Sequence, residues 1–70
     1  MKRIYKDYRT ITDDHMTLIK RKYPNGFSDS DLIALKTSEG NYFDALEIES
    51  PEVVYIIKVN QDLLEAIDQY

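Results

Sequence analysis

Cysteine and tryptophan are absent from the 70 residues, proline and glycine occur twice each, and there is a single histidine. Without cysteine there is no disulfide framework and no thiolate metal site, which favours a reducing compartment over a secreted life. With one imidazole a hydrolase triad has little to draw on, and the serines show no G-x-S-x-G pattern. Gly26 and Gly40 stand alone and make no phosphate-cradling loop. The longest apolar run, residues 53–57, is far too short to span a bilayer, and the basic start MKRIYKDYRT leads into no apolar stretch of a signal peptide. These absences predict a soluble, cytoplasmic protein that is not an enzyme and needs no cofactor. The scarcity of glycine and proline, with plentiful aliphatic residues, also excludes disorder over most of the chain.

What remains must be stabilised by a small core. A chain of this length buries only about 60% of its unfolded surface, so aliphatic and tyrosine packing carries the fold, with self-association as a further source of burial. One small domain over residues 1–70 is the expectation. Its charge is sorted by position. Residues 1–27 carry seven cations against three carboxylates, net +4, while residues 28–70 carry two against ten, net −8. The overall charge of −4 conceals this dipolar arrangement, which suits docking better than chemistry.

The local signals define an order of elements. Residues 1–11 hold Ile4, Tyr5 and Tyr8 among charges and fit a short strand or a frayed helix; the β-favouring Ile4–Tyr5 pair favours an edge strand guarded by lysine and arginine. Thr12 has the position of a helix N-cap, and Asp13 and Asp14 follow where the helix dipole favours negative charge. Met16, Ile19 and Tyr23 recur at helical spacing, Lys20, Arg21 and Lys22 fall in the last turn, and Pro24-Asn25-Gly26 ends a helix over about 13–22. Ser28 caps a single helical turn that leads into a strand over 32–37. Ser38-Glu39-Gly40-Asn41 is a hairpin turn, and residues 42–49 form its second strand. On that strand Tyr42, Asp44, Leu46 and Ile48 share one face, and Phe43, Ala45, Glu47 and Glu49 the other. Residues 53–59 are β-branched or tyrosine except for Lys58 and form the strongest strand. Asn60 caps a closing helix whose apolar face is Leu63, Leu64 and Ile67. The predicted fold is α+β, in the order β-α-β-β-β-α: an antiparallel meander of three or four strands with two helices, one or both laid on a single face.

Each potential chemical group has a structural explanation. His15 beside Asp13 and Asp14 could act as a base or a lone metal ligand, but capping accounts for the two aspartates, and no second His or Cys completes a metal set. Strand alternation turns Asp44 away from Glu47 and Glu49, so these carboxylates form a solvated face rather than a cation site. The sharper pattern is the alternation of cations and tyrosines near the N-terminus. The sequence therefore predicts a non-enzymatic module that binds a protein partner or its own copy through a sheet edge, with Arg3, Tyr5, Tyr8, Arg9, Lys20, Arg21 and Lys22 as contact residues. The alternative is weak binding of single-stranded nucleic acid by Arg3, Tyr5, Tyr8 and Arg9, with phosphates on the cations and bases on the tyrosines. The acidic pI of about 4.7 opposes it.

The stretch over residues 23–59 also resembles a group of short bacterial proteins of unassigned function. The matching pieces are Tyr23, Pro24, Gly26 and Phe27, then Asp31-Leu32-Ile33, Ala45-Leu46-Glu47 and Tyr55-Ile56-Ile57-Lys58-Val59. The resemblance covers about half of the chain and implies a compact module. It brings no catalytic residue, and it implies an acidic tail after the last helix in a longer chain. A label tying some of these proteins to DNA priming finds no metal-binding carboxylate cluster or zinc ligand set in this sequence.

Overall fold

Every strand foreseen in the chain is present, and all four join one sheet, but not in the order of a simple meander. The computed structural model describes residues 2–70. Strand β1 (Lys2–Lys6) is followed by helix α1 (Asp13–Lys22), a 3₁₀ turn at Asp29–Asp31, strands β2 (Ile33–Lys36), β3 (Tyr42–Glu49) and β4 (Val53–Lys58), and helix α2 (Gln61–Gln69). The spatial order is β1-β4-β3-β2. The antiparallel meander is β2–β3–β4, as expected. Strand β1 instead pairs with β4 in parallel, Lys2 opposite Val53 and Lys6 opposite Ile57, so the sheet is mixed rather than antiparallel throughout. This gives the sequence VVYIIK its physical reason: β4 has a strand on either side, and a central strand favours a nearly unbroken apolar run.

Both helices lie on one face. Met16 and Ile19 from α1 and Leu63 from α2 pack on Leu46, Ile48 and Ile57, with Ile11, Leu18, Tyr55, Val59, Ala66 and Ile67 around them. The turns are secured by local chemistry. Gly40 has φ +90°, the left-handed conformation that the β2–β3 hairpin needs and that residues with a Cβ rarely adopt. Ser50 closes the β3–β4 turn, its hydroxyl donating to the Val53 carbonyl at 2.9 Å and its backbone N–H to the same oxygen at 2.8 Å. Asn60 caps α2 by accepting from the Leu63 N–H at 2.9 Å. Leu32 and Thr37 fall just outside β2, and Val59 just outside β4, while α1 has the bounds foreseen.

Candidate protein-interaction surface

The face of the sheet away from the helices is uncovered, and its rows can be read from the pairing register. Residues directly opposite on neighbouring strands project to the same side. One row runs Arg3, Val54, Glu49 across β1, β4 and β3; the next runs Tyr5, Ile56, Glu47. A third joins Lys58, Ala45 and Ile33, and a fourth joins Phe43 and Leu35. Ala45, Val54 and Ile56 form an apolar floor that is buried although no secondary-structure element covers it, with Ile33, Leu35 and Phe43 packed at its side.

The cover is made of long side chains. Arg3 Nη2 reaches diagonally to Glu47 Oε2 at 3.2 Å. Tyr5 meets Phe43 edge to face with ring centroids 6.0 Å apart, and the Lys58 ammonium lies 5.7 Å from the Phe43 ring centre. These groups are held loosely. The Arg3 and Glu47 side chains remain 57% and 38% exposed, and pairs in such settings are worth about 0–1 kcal/mol, so the bridge can be exchanged for another partner at little cost. Tyr5 is about half exposed, with 52% of its surface accessible. The face thus presents apolar, aromatic and mixed-charge groups together, the composition found in protein interfaces.

The seven residues picked out in the sequence do not form one patch. Arg3 and Tyr5 lie on this open face. Arg9 is engaged within its own turn: its guanidinium donates to Asp7 Oδ2 at 3.0 Å and lies 5.9 Å from the Tyr8 ring, and this hydrogen bond holds the Asp7 carboxyl below its ordinary pKa. Tyr8 borders a cleft of about 300 Å³ between the start of α1 and the end of α2, where it faces Met16, Ala66 and Tyr70. The Tyr70 hydroxyl there donates to the Asp13 carbonyl at 3.3 Å and lies 2.9 Å from Thr17 Oγ1. Lys20, Arg21 and Lys22 sit on α1, in the opposite layer from Arg3 and Tyr5. Strand β2 begins opposite Ala45, so the outer edge of β3 from Leu46 onward has no strand beside it, and Lys22 Nζ fills the gap by donating to the Glu47 carbonyl at 2.9 Å.

Phe43, Lys58, Glu47 and Glu49 are the members of the face that sequence reasoning did not assign to it. Alternation alone groups Phe43, Ala45, Glu47 and Glu49. That β1 brings Arg3 and Tyr5 to the same side follows only from the parallel pairing. Asp44 indeed projects away from Glu47 and Glu49, and among the described residues no three His, Cys, Asp or Glu side chains gather in a metal-binding arrangement.

His15 is buried and acts as a helix cap. Its Nδ1 accepts from the Thr12 backbone N–H at 2.8 Å, with the Thr12 hydroxyl 3.2 Å away. It takes the place that Glu or Gln holds in a capping box, and its ring stands edge-on to Tyr55 at 4.5 Å between centroids. Burial pushes its pKa below the ordinary imidazole value; Lys6 acts in the same direction and Asp14 opposes it. A lowered native value means that the fold prefers the neutral ring. The contribution is complete above about pH 6.5, the unfolded value, and is lost as the pH falls through the lower native value. Glutamine in this position keeps an acceptor for the Thr12 N–H and gains no proton. Wild type should therefore lose stability relative to His15→Gln between about pH 6.5 and pH 5. Urea midpoints of both proteins at the two pH values test this, and parallel pH profiles would contradict it.

No family model, curated protein or solved structure matches the chain. Among the described residues no helix is long and apolar enough to cross a membrane.

Proposed function

We propose that this chain is a non-enzymatic interaction module that binds another protein through the open face of its sheet. The observation that carries this reading is the apolar floor of Ala45, Val54 and Ile56, roofed only by partly exposed charged and aromatic side chains. A partner that displaces the Arg3–Glu47 bridge gains access to apolar surface while finding both signs of charge at the rim. Arg and Tyr, here Arg3 and Tyr5, are the residue types that most often carry binding energy at interfaces.

A second reading has one specific observation in its favour. Tyr5 and Phe43 with Arg3 and Lys58 offer aromatic rings and cations on an exposed sheet, the means by which single-stranded nucleic acid is held without sequence preference. Glu47 and Glu49 lie in the same rows and repel phosphates, which places this reading second.

The test compares capture from lysate by tagged wild type and by a tagged Arg3→Glu/Tyr5→Ala variant, each with and without nuclease. A protein retained by wild type after nuclease and lost by the variant supports the open face as the binding surface. Capture unaffected by the two substitutions would overturn it. Capture that depends on the two side chains and disappears with nuclease would promote the nucleic-acid reading.

A further inference from the structure

We infer that the open face binds a second copy of this chain, face to face, about a two-fold axis running along β4. This rests on the reading of that face as an interaction surface and adds the identity of the occupant. The face is self-complementary under two-fold symmetry. In the row Arg3, Val54, Glu49 a cation on β1 and a carboxylate on β3 flank an apolar residue on β4. In the row Tyr5, Ile56, Glu47 a hydroxyl donor and a carboxylate flank another. A two-fold axis parallel to the strands and lying over β4 exchanges the β1 and β3 positions of the two copies.

Val54 and Ile56, covered in the single copy by long side chains, meet their own counterparts once Arg3 exchanges Glu47 for the second copy. Arg3 faces Glu49 of the second copy, and Tyr5 directs its hydroxyl at Glu47 of the second copy. The Arg3–Glu49 and Tyr5–Glu47 contacts each occur twice, whereas those of Val54 and Ile56 lie on the axis and occur once. Lys58 is the one like-charged residue near the axis, and it is drawn aside over the Phe43 ring at 5.7 Å.

Other placements of the axis match less well. Along β3 it would set Glu47 and Glu49 against themselves. Midway between β4 and β3 it would press those carboxylates onto Ile56 and Val54. Edge-to-edge pairing of β1 with β1 would bring Lys2, Arg3 and Lys6 of two copies together. The arrangement about β4 is the one in which opposite charges meet and apolar groups cover each other.

Its strength is limited by area. Three strands spaced about 4.8 Å apart, with about four residues on each, cover a few hundred Å². That is less than the roughly 800 Å² per partner of a standard stable interface. The dimer is therefore concentration-dependent, with β2 left at the flank.

Sedimentation velocity from micromolar to millimolar protein tests the inference, with circular dichroism confirming that each variant is folded. Wild type should pass from monomer to dimer. Arg3→Glu and Glu49→Arg should each weaken the dimer about tenfold or more, since each change enters the interface twice. Together the two substitutions should restore it, because the charges are exchanged but still complementary. Lys20→Glu/Arg21→Glu, in the other layer, should leave it unchanged. A wild type that stays monomeric throughout would overturn the self-association while leaving the open face to be judged by the capture experiment. A dimer that survives both single charge reversals, or that is lost on the α1 substitutions, would show that the copies meet elsewhere.

Discussion

Ile57→Ala is expected to lower the unfolding free energy by about 2–5 kcal/mol, most of the stability available to a domain of this size. Ile57 is fully buried near the end of the central strand β4, with Leu46 of β3 opposite it on one side and Lys6 of β1 on the other. Its side chain belongs to the cluster that holds Met16 and Ile19 from α1 and Leu63 from α2. Truncation leaves a cavity where both helices meet the sheet, and a central strand with partners on both sides has little freedom to collapse into it. The comparison to make is urea unfolding at neutral pH, where the variant should show a markedly lower midpoint with an unchanged slope. A midpoint like that of wild type would mean that the core is centred elsewhere.

Leu63→Ala should have an effect in the same range, about 2–5 kcal/mol, for a different reason. Leu63 is the one fully buried residue of α2, so the helix is fastened to the sheet mainly through this side chain. The remaining anchors are the half-buried Ala66 and Ile67, the Asn60 cap, and the hydrogen bonds of the Tyr70 hydroxyl to α1. Losing Leu63 therefore removes packing from both α2 and the sheet surface beneath it. Equilibrium unfolding gives the size of the loss, and amide exchange shows where it falls: protection should drop first in α2. If α2 amides stay as protected as those of β4, the helix is held by the peripheral contacts instead.

How far these features were legible depends on whether the signal was local. The bounds of α1 follow from Thr12, the acidic first turn, the basic last turn and Pro24, all within a dozen neighbouring residues. The hairpin follows from Gly40 and the alternation on β3, and β4 from its density of β-branched residues. The pairing of β1 with β4 was not legible, because a strand of five residues carries no mark of which distant edge it will join or in which direction. By residue type alone His15 reads as a titrating group, whereas its place three residues after Thr12 is the acceptor position of a capping box, one usually filled by Glu or Gln. The candidate site shows the same division. Alternation marks Arg3 and Tyr5, whereas only charge joins Lys20, Arg21 and Lys22 to them. The reversal of the chain between β1 and α1 puts those three in another layer. Phe43, Lys58, Glu47 and Glu49 join Arg3 and Tyr5 only through a register that spans most of the chain.

That register also sets a timetable. Lys2 waits for Val53, about fifty positions further along, while β2, β3 and β4 meet across short turns. Closing a long loop costs more entropy than closing a hairpin, and such distant contacts slow folding. The entropy of that closure favours docking of β1 after the β2–β3–β4 meander has formed. Until β1 arrives, one edge of β4, the most apolar strand of the sheet, is bare and open to pairing with other chains. Residues 2–6 close that edge, and Lys2, Arg3 and Lys6 make the new outer edge a poor template for pairing with other chains.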